Sequence, residues 1–243
     1  MTVPIVYFVL GSADSGRHEV LADLVQFGLE PDDQPCVLVP EHDLEASRRI
    51  FAALKVRFPV GGWILEGERL VASAPPGVTH LFLLGDGRAD PMDQIEALSN
   101  WLPYTPFDLG RIITVVNCRL LSENPPLMRW YDACIHFSDV VLLNRREGLG
   151  NKWVSEYEAH LEKDSLPCLV ERVKKGKVKN PPLVLYPEPR RLSLIFDEEE
   201  HLYTDDDDAT DEEAVTPMVE PWLERLLSGR RVKELPDINK FLD

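Results

Sequence analysis

The chain has 243 residues, 44% of them hydrophobic, and a formal charge of -16, enough apolar material for one sizeable core and too much for a disordered or fibrous class. Most of that charge lies between Asp197 and Glu213, where eleven Asp and Glu meet no Lys or Arg. The remainder is only mildly acidic and lacks the clustered cations that hold a polyanion, so nucleic acid is excluded as the expected partner.

Cys36, Cys118, Cys134 and Cys168 are scattered with no CxxC pair. They read as buried thiols, neither a metal cage nor a disulfide framework. The start "MTVPIVYFVLGS" has no basic segment ahead of its apolar run, and no stretch reaches the 18 or so apolar residues of a membrane span. A cytoplasmic location without membrane contact is the expectation.

In chain order, a strand is expected over 3–10, a helix over 17–28, a strand over 36–39 and a helix over 44–58. A strand over 80–84, a helix over 92–102 and a strand over 112–116 follow. The series closes with a helix over 126–137, a strand over 140–143, a helix over 151–163 and a strand over 166–170. Short Val, Ile and Leu runs alternating with helical periods point to βα units: an α/β fold with a mainly parallel sheet and helices on both faces, in three layers. The domain boundary falls at 178. From 179 to 243 a Pro-rich and acidic arm is expected, with Trp222, Leu223, Leu226 and Leu227 on one face of a short terminal amphipathic helix. The basic "RVKKGKVK", Arg172 to Lys179, reads as a solvated turn, and the acidic run is a candidate phosphate mimic facing that turn or Arg17.

After the first strand comes "GSADSGRH", with Gly11, Ser15, Gly16, Arg17 and His18. A phosphate-binding loop reads GxxxxGK[ST]: backbone N–H groups and a helix N-terminus surround the phosphates, Lys reaches the β and γ groups, and the hydroxyl ligates magnesium. Both glycines are kept. Arg17 supplies a planar fork in place of a compact ammonium, and His18 offers no hydroxyl to a hard cation. Asp14 places a carboxylate inside the cradle.

Three later segments stand in order: "THLFLLGDGRADPMDQIEAL" from residue 79, "GRIITVVNC" from 110 and "SDVVLLNRREGL" from 138. With the loop, they make residues 3–175 resemble the CobW-type family of P-loop GTPases. The resemblance implies a P-loop NTPase-like fold and a possible guanine nucleotide with magnesium. It matches Gly87, Ala89, Asp90 and Pro91 to the family's GxADP turn, and Val115, Val116, Asn117 and Cys118 to its next strand end. Asn144, Arg145 and Glu147 match its guanine-reading NKxD. The family's strand-end acid falls at Leu84, which polarises no metal-bound water, and Asp86 stands two residues on. The metal-binding CxCC meets Gly62, Trp63, Ile64 and Leu65, which bind no zinc or cobalt.

The six histidines form no HxxxH or HExxH, and no GxSxG stands at a strand end. No catalytic or metal-ligating residue is assigned. Two readings remain. One is a pseudo-GTPase: a P-loop scaffold that has lost catalysis and binds a protein partner. The other is a divergent GTP-binding protein or slow GTPase using Gly11, Ser15, Gly16, Arg17, His18, Asp86, Asn144, Arg145 and Glu147.

Overall fold

The computed structural model describes residues 3–163, 166–197 and 220–242. The core is an eight-stranded sheet built from β1 (Ile5–Leu10), β2 (Pro35–Pro40), β3 (Val60–Glu66), β4 (Arg69–Ala72), β5 (His80–Leu84), β6 (Asp108–Asn117), β7 (Val140–Asn144) and β8 (Leu169–Arg172). The order across it is β4-β3-β2-β5-β1-β6-β7-β8. Every pairing is parallel except β3 with β4.

The helices are α1 (Arg17–Gly28), α2 (Leu44–Ala53), α3 (Pro91–Trp101), α4 (Cys118–Glu123), α5 (Met128–His136), α6 (Asn151–Lys163) and α7 (Pro181–Leu185). Strands covered on both sides need apolar residues at every position, and β1 shows the division. Val6, Phe8 and Leu10 face a cluster that takes in Ile95 of α3, Trp130 of α5 and Leu161 of α6. Tyr7 and Val9 face a second cluster with Leu21 and Leu24 of α1, Phe51 of α2 and Leu185 of α7. The three-layer α/β architecture is as the alternation implied.

The short helices α4 and α7 have no counterpart in the sequence reading, and three further differences have a physical reason. The helix expected to reach 58 stops at Ala53, because Lys55 takes φ 59° and turns the chain toward the edge hairpin β3–β4. That hairpin has no strand in the sequence reading, because Gly61 and Gly62 dilute its apolar signal. The expected terminal amphipathic helix is absent from the described residues 220–242, which form turns, a bridge between Arg225 and Arg231, and a 3-10 turn at Ile238–Lys240. Pro221, Gly229 and Pro236 break the helical period there. Leu227 projects fully into solvent, whereas Trp222 and Leu223 pack on the core.

Beyond residue 178 the chain runs along the body. Tyr7 donates its hydroxyl to Leu185 O at 2.7 Å, and the buried Arg111 donates to the carbonyls of Leu183, Val184 and Glu188. Further on, Arg231 donates to Asp93 and Glu96 of α3 at 2.6 and 2.8 Å. The basic run is a tight turn in which Lys174 and Lys177 pair and Lys175 and Gly176 take positive φ. Residues 198–213 of the acidic run lie outside the described residues.

A buried charge closes the seam between β6, β7 and the residues after α7. Asp139, with no exposed surface, accepts from Ile112 N at 2.7 Å, Arg190 N at 2.6 Å and the Arg191 guanidinium at 3.3 Å. Removing Asp139 leaves Ile112 N and Arg190 N without their acceptor in low dielectric and leaves Arg191 to Asp197 alone. Asp139→Ala is therefore expected to lower unfolding free energy by about 3–5 kcal/mol, read by urea denaturation, and a loss under about 1 kcal/mol would contradict this account of the seam.

Candidate functional site

The crossovers from β1 lead first to β2, β3, β4 and β5 on one side and then to β6, β7 and β8 on the other. Parallel sheets place ligand crevices at such a reversal, outside the carboxyl ends of the strands. The loop Gly11–Gly16 leaves β1 at that point and enters α1 through Gly16 at φ 82°, the left-handed region that favours glycine. Gly11 takes φ 137° with Val115 O pressed against the place where a Cβ would stand.

The protein's own groups hold this loop from every side. Two asparagines stand level at the ends of β6 and β7. Asn117 donates to Asp14 O at 3.2 Å, and Asn144 donates to Ser15 O at 2.8 Å. Tyr131 of α5 shares a 3.0 Å hydrogen bond with Ser12 Oγ and accepts from Asn117 N at 3.1 Å. Ala13 N donates to Gly87 O at 3.2 Å, which engages one of the amides a phosphate would need. The Ser15 hydroxyl is buried without a hydrogen-bond partner among the described residues.

Arg17 occupies the place of the phosphate lysine and does not point outward. Only 3% exposed, it turns beneath the loop and donates to Gly85 O, while its Nε has no partner among the described residues. Burial lowers it from its ordinary value to about 10, opposed by the charges of Asp86 and Asp43. His18 is turned away as well, bonded to Ser47 Oγ of α2 at 2.9 Å and packed 5.2 Å from the Phe51 ring. Burial and the neighbouring Arg17 charge lower it to about 4, so it is neutral at pH 7.

The remaining sequence candidates divide. Asn144 and Arg145 meet the loop: Arg145, at φ 52°, lies over Gly16 and pairs with Glu19 at 3.1 Å. Glu147 stands exposed on the turn after β7, and among the described residues no hydrogen bond joins it to the loop. Asp86 is on the far side, its carboxylate accepting from Arg88 N at 2.8 Å. Trp63, where a thiolate would stand, is buried and donates its indole N–H to Leu84 O at 2.9 Å, so both positions that would serve a metal are built into the core. The donor set does not fit magnesium, since His18 faces α2, Leu84 is apolar and Arg17 is directed inward.

Sequence reading did not single out Ser12, Tyr131 or Gln94. Tyr131 lies in the middle of an amphipathic helix, and only the packing of α5 brings its hydroxyl to the loop. Strand order, glycine turn and helix entry together define an α/β fold of the P-loop NTPase type. No family model matches the chain, and no curated protein matches it. Among solved structures it is similar to a Zn(II)-bound triple mutant of the YjiA GTPase (14% identity over 78% of this chain and 67% of that one, TM-score 0.48). It is similar also to the Zn(II)-bound YjiA GTPase from E. coli (14%, 78% and 67%, TM-score 0.45). A third is the cell division protein ftsY from Thermotoga maritima (9%, 75% and 67%, TM-score 0.47).

Because the folded-state pKa of His18 lies below its unfolded value, the unfolded chain binds the extra proton between about pH 4 and 6.5. The stability from keeping His18 neutral is complete above pH 6.5 and is lost as pH falls through that window. It amounts to roughly 3 kcal/mol at 1.36 kcal/mol per pH unit. Denaturation of the parent and of His18→Leu across pH 4–7 is expected to show a shallower slope in the variant, and equal slopes would refute the assignment. Gly16→Ala, whose methyl would meet Asn144 Nδ2 at 2.5 Å in a left-handed backbone, is expected to cost about 1–3 kcal/mol with no ligand present, measured by thermal unfolding.

Proposed function

We propose that the chain is a divergent relative of the CobW-type P-loop GTPases, in which the phosphate loop survives as a structural turn. In this reading catalysis is lost and the molecule acts as a protein-interaction or regulatory scaffold. The observation that carries it is Arg17, sealed under the loop against Gly85 O with almost no exposed surface. Phosphoryl transfer depends on a cation reaching the transferring group and on a magnesium ion held by hydroxyl and carboxylate. Here the cation is committed inward, the hydroxyl position is a neutral His18, and the acid position is Leu84.

A scaffold needs a surface, and the stretch from α7 onward offers one. Leu183, Tyr186, Leu192, Leu194 and Ile195 are exposed within thirteen residues of chain, the kind of apolar patch that marks contact with another protein. The expectation of a cytoplasmic protein is consistent with this, and no helix among the described residues is long and apolar enough to cross a membrane.

A divergent GTP-binding protein is favoured by one separate observation. The Ser15 hydroxyl is buried and, among the described residues, has no hydrogen-bond partner. Isothermal titration with GTP, GDP and ATP in the presence of magnesium separates the readings. No binding tighter than millimolar and no phosphate release are expected. Micromolar binding with turnover would overturn the proposal, and micromolar guanine nucleotide binding without turnover would replace it by the second reading.

A further inference from the structure

We propose that His42, Asp43 and Asp86 form a binding site for a divalent transition cation at the carboxyl ends of β2 and β5. His42 and Asp43 belong to the 3-10 turn Glu41–Asp43 that follows β2 directly, and Asp86 stands just past the end of β5. The two strands are hydrogen-bonded neighbours, with Leu38 level with Leu83, so their exit turns emerge side by side. One imidazole nitrogen and two carboxylate oxygens thereby converge, all within 4.8 Å of one another.

The separations suit an ion better than direct bonds. His42 Nε2 stands 3.5 Å from Asp86 Oδ2 and 3.8 Å from Asp43 Oδ2, both beyond a good hydrogen bond. Ligands at about 2.0–2.2 Å from a tetrahedral ion lie roughly 3.4 Å from each other. A cation therefore fits among the three donors with only small side-chain rotations.

Asp86 is set in place for this. Gln94, buried at 3% exposure, accepts from Asp86 N at 2.6 Å and donates to Asp86 O at 3.0 Å. Asp86 Oδ1 is taken by Arg88 N at 2.8 Å, which leaves Oδ2 for the ion. The guanidinium of Arg17, which feels both carboxylates, is directed to Gly85 O. The local charge stays negative and favours a cation.

A mixed imidazole and carboxylate set suits Zn²⁺-like ions more than magnesium or calcium, and three protein ligands on an exposed turn leave a fourth position for water. The site uses none of the residues at 62–65. It does not rest on the lost-catalysis reading, because the cation is tested without nucleotide.

The experiment is calorimetric titration of the metal-free full chain with Zn²⁺, paralleled by visible absorption of bound Co²⁺. One equivalent is expected to bind with micromolar affinity, weakened at least about tenfold in both His42→Ala and Asp86→Asn. Asp108→Asn, at the opposite end of the sheet, is expected to match the parent. Unchanged thermal unfolding of the metal-free variants shows that folding is intact, and His42, on an exposed turn, supplies the decisive variant if Asp86→Asn unfolds. The proposal is overturned if the parent takes up no stoichiometric cation, or if His42→Ala binds as the parent does.

Discussion

The buried guanidinium of Arg17 is the constraint from which the rest of this site follows. A charge under the first strand's exit loop needs an acceptor, and the nearest is the carbonyl of Gly85 at the end of β5. Taking that acceptor draws the turn 85–87 against the loop, where Gly87 accepts from Ala13 N and sits too close for any side chain. A lysine can extend along the loop to a phosphate. An arginine held by a buried carbonyl cannot leave without exposing both groups unpaired, which costs the desolvation of each.

Once that contact is made, the neighbouring residues take new roles. His18 is directed away from the loop and spans α1 and α2 through Ser47. Asn117 and Asn144 grip the carbonyls of Asp14 and Ser15 from the adjoining strand ends, so the loop is restrained by side chains that could otherwise contact a ligand. Asp86, displaced from the loop by the same turn, faces His42 across the β2–β5 boundary. The inward course of Arg17 at the centre of the sheet and the juxtaposition of His42 with Asp86 at its flank are two results of a single packing choice.

The segment after residue 178 adds to this picture. Arg111 and Tyr7, both inside the sheet layer, direct polar atoms at the backbone of residues 183–188. Arg231 reaches α3, and Asn239 donates to Arg88 O at 2.8 Å beside the turn that carries Asp86. The C-terminal residues thus brace the same turn that the loop holds from within.

The order of the parallel strands β1, β2, β5, β6, β7 and β8 and of helices α1, α2, α3, α5 and α6 was legible from the sequence alone, because strands buried on both faces must be apolar throughout and their helices must be amphipathic. The two loop glycines were legible for the same kind of reason: Gly11 and Gly16 take positive φ angles that favour glycine. The residue types that depart from an ordinary phosphate loop, Arg17, His18 and Leu84, could also be read directly. Where those side chains go could not. Whether Arg17 faces a ligand or a carbonyl, whether Tyr131 meets Ser12, and whether His42 stands beside Asp86 depend on contacts between segments far apart in the chain. Only the packing of the sheet decides them, since periodicity reports which face of an element is buried and carries no record of what that face will touch.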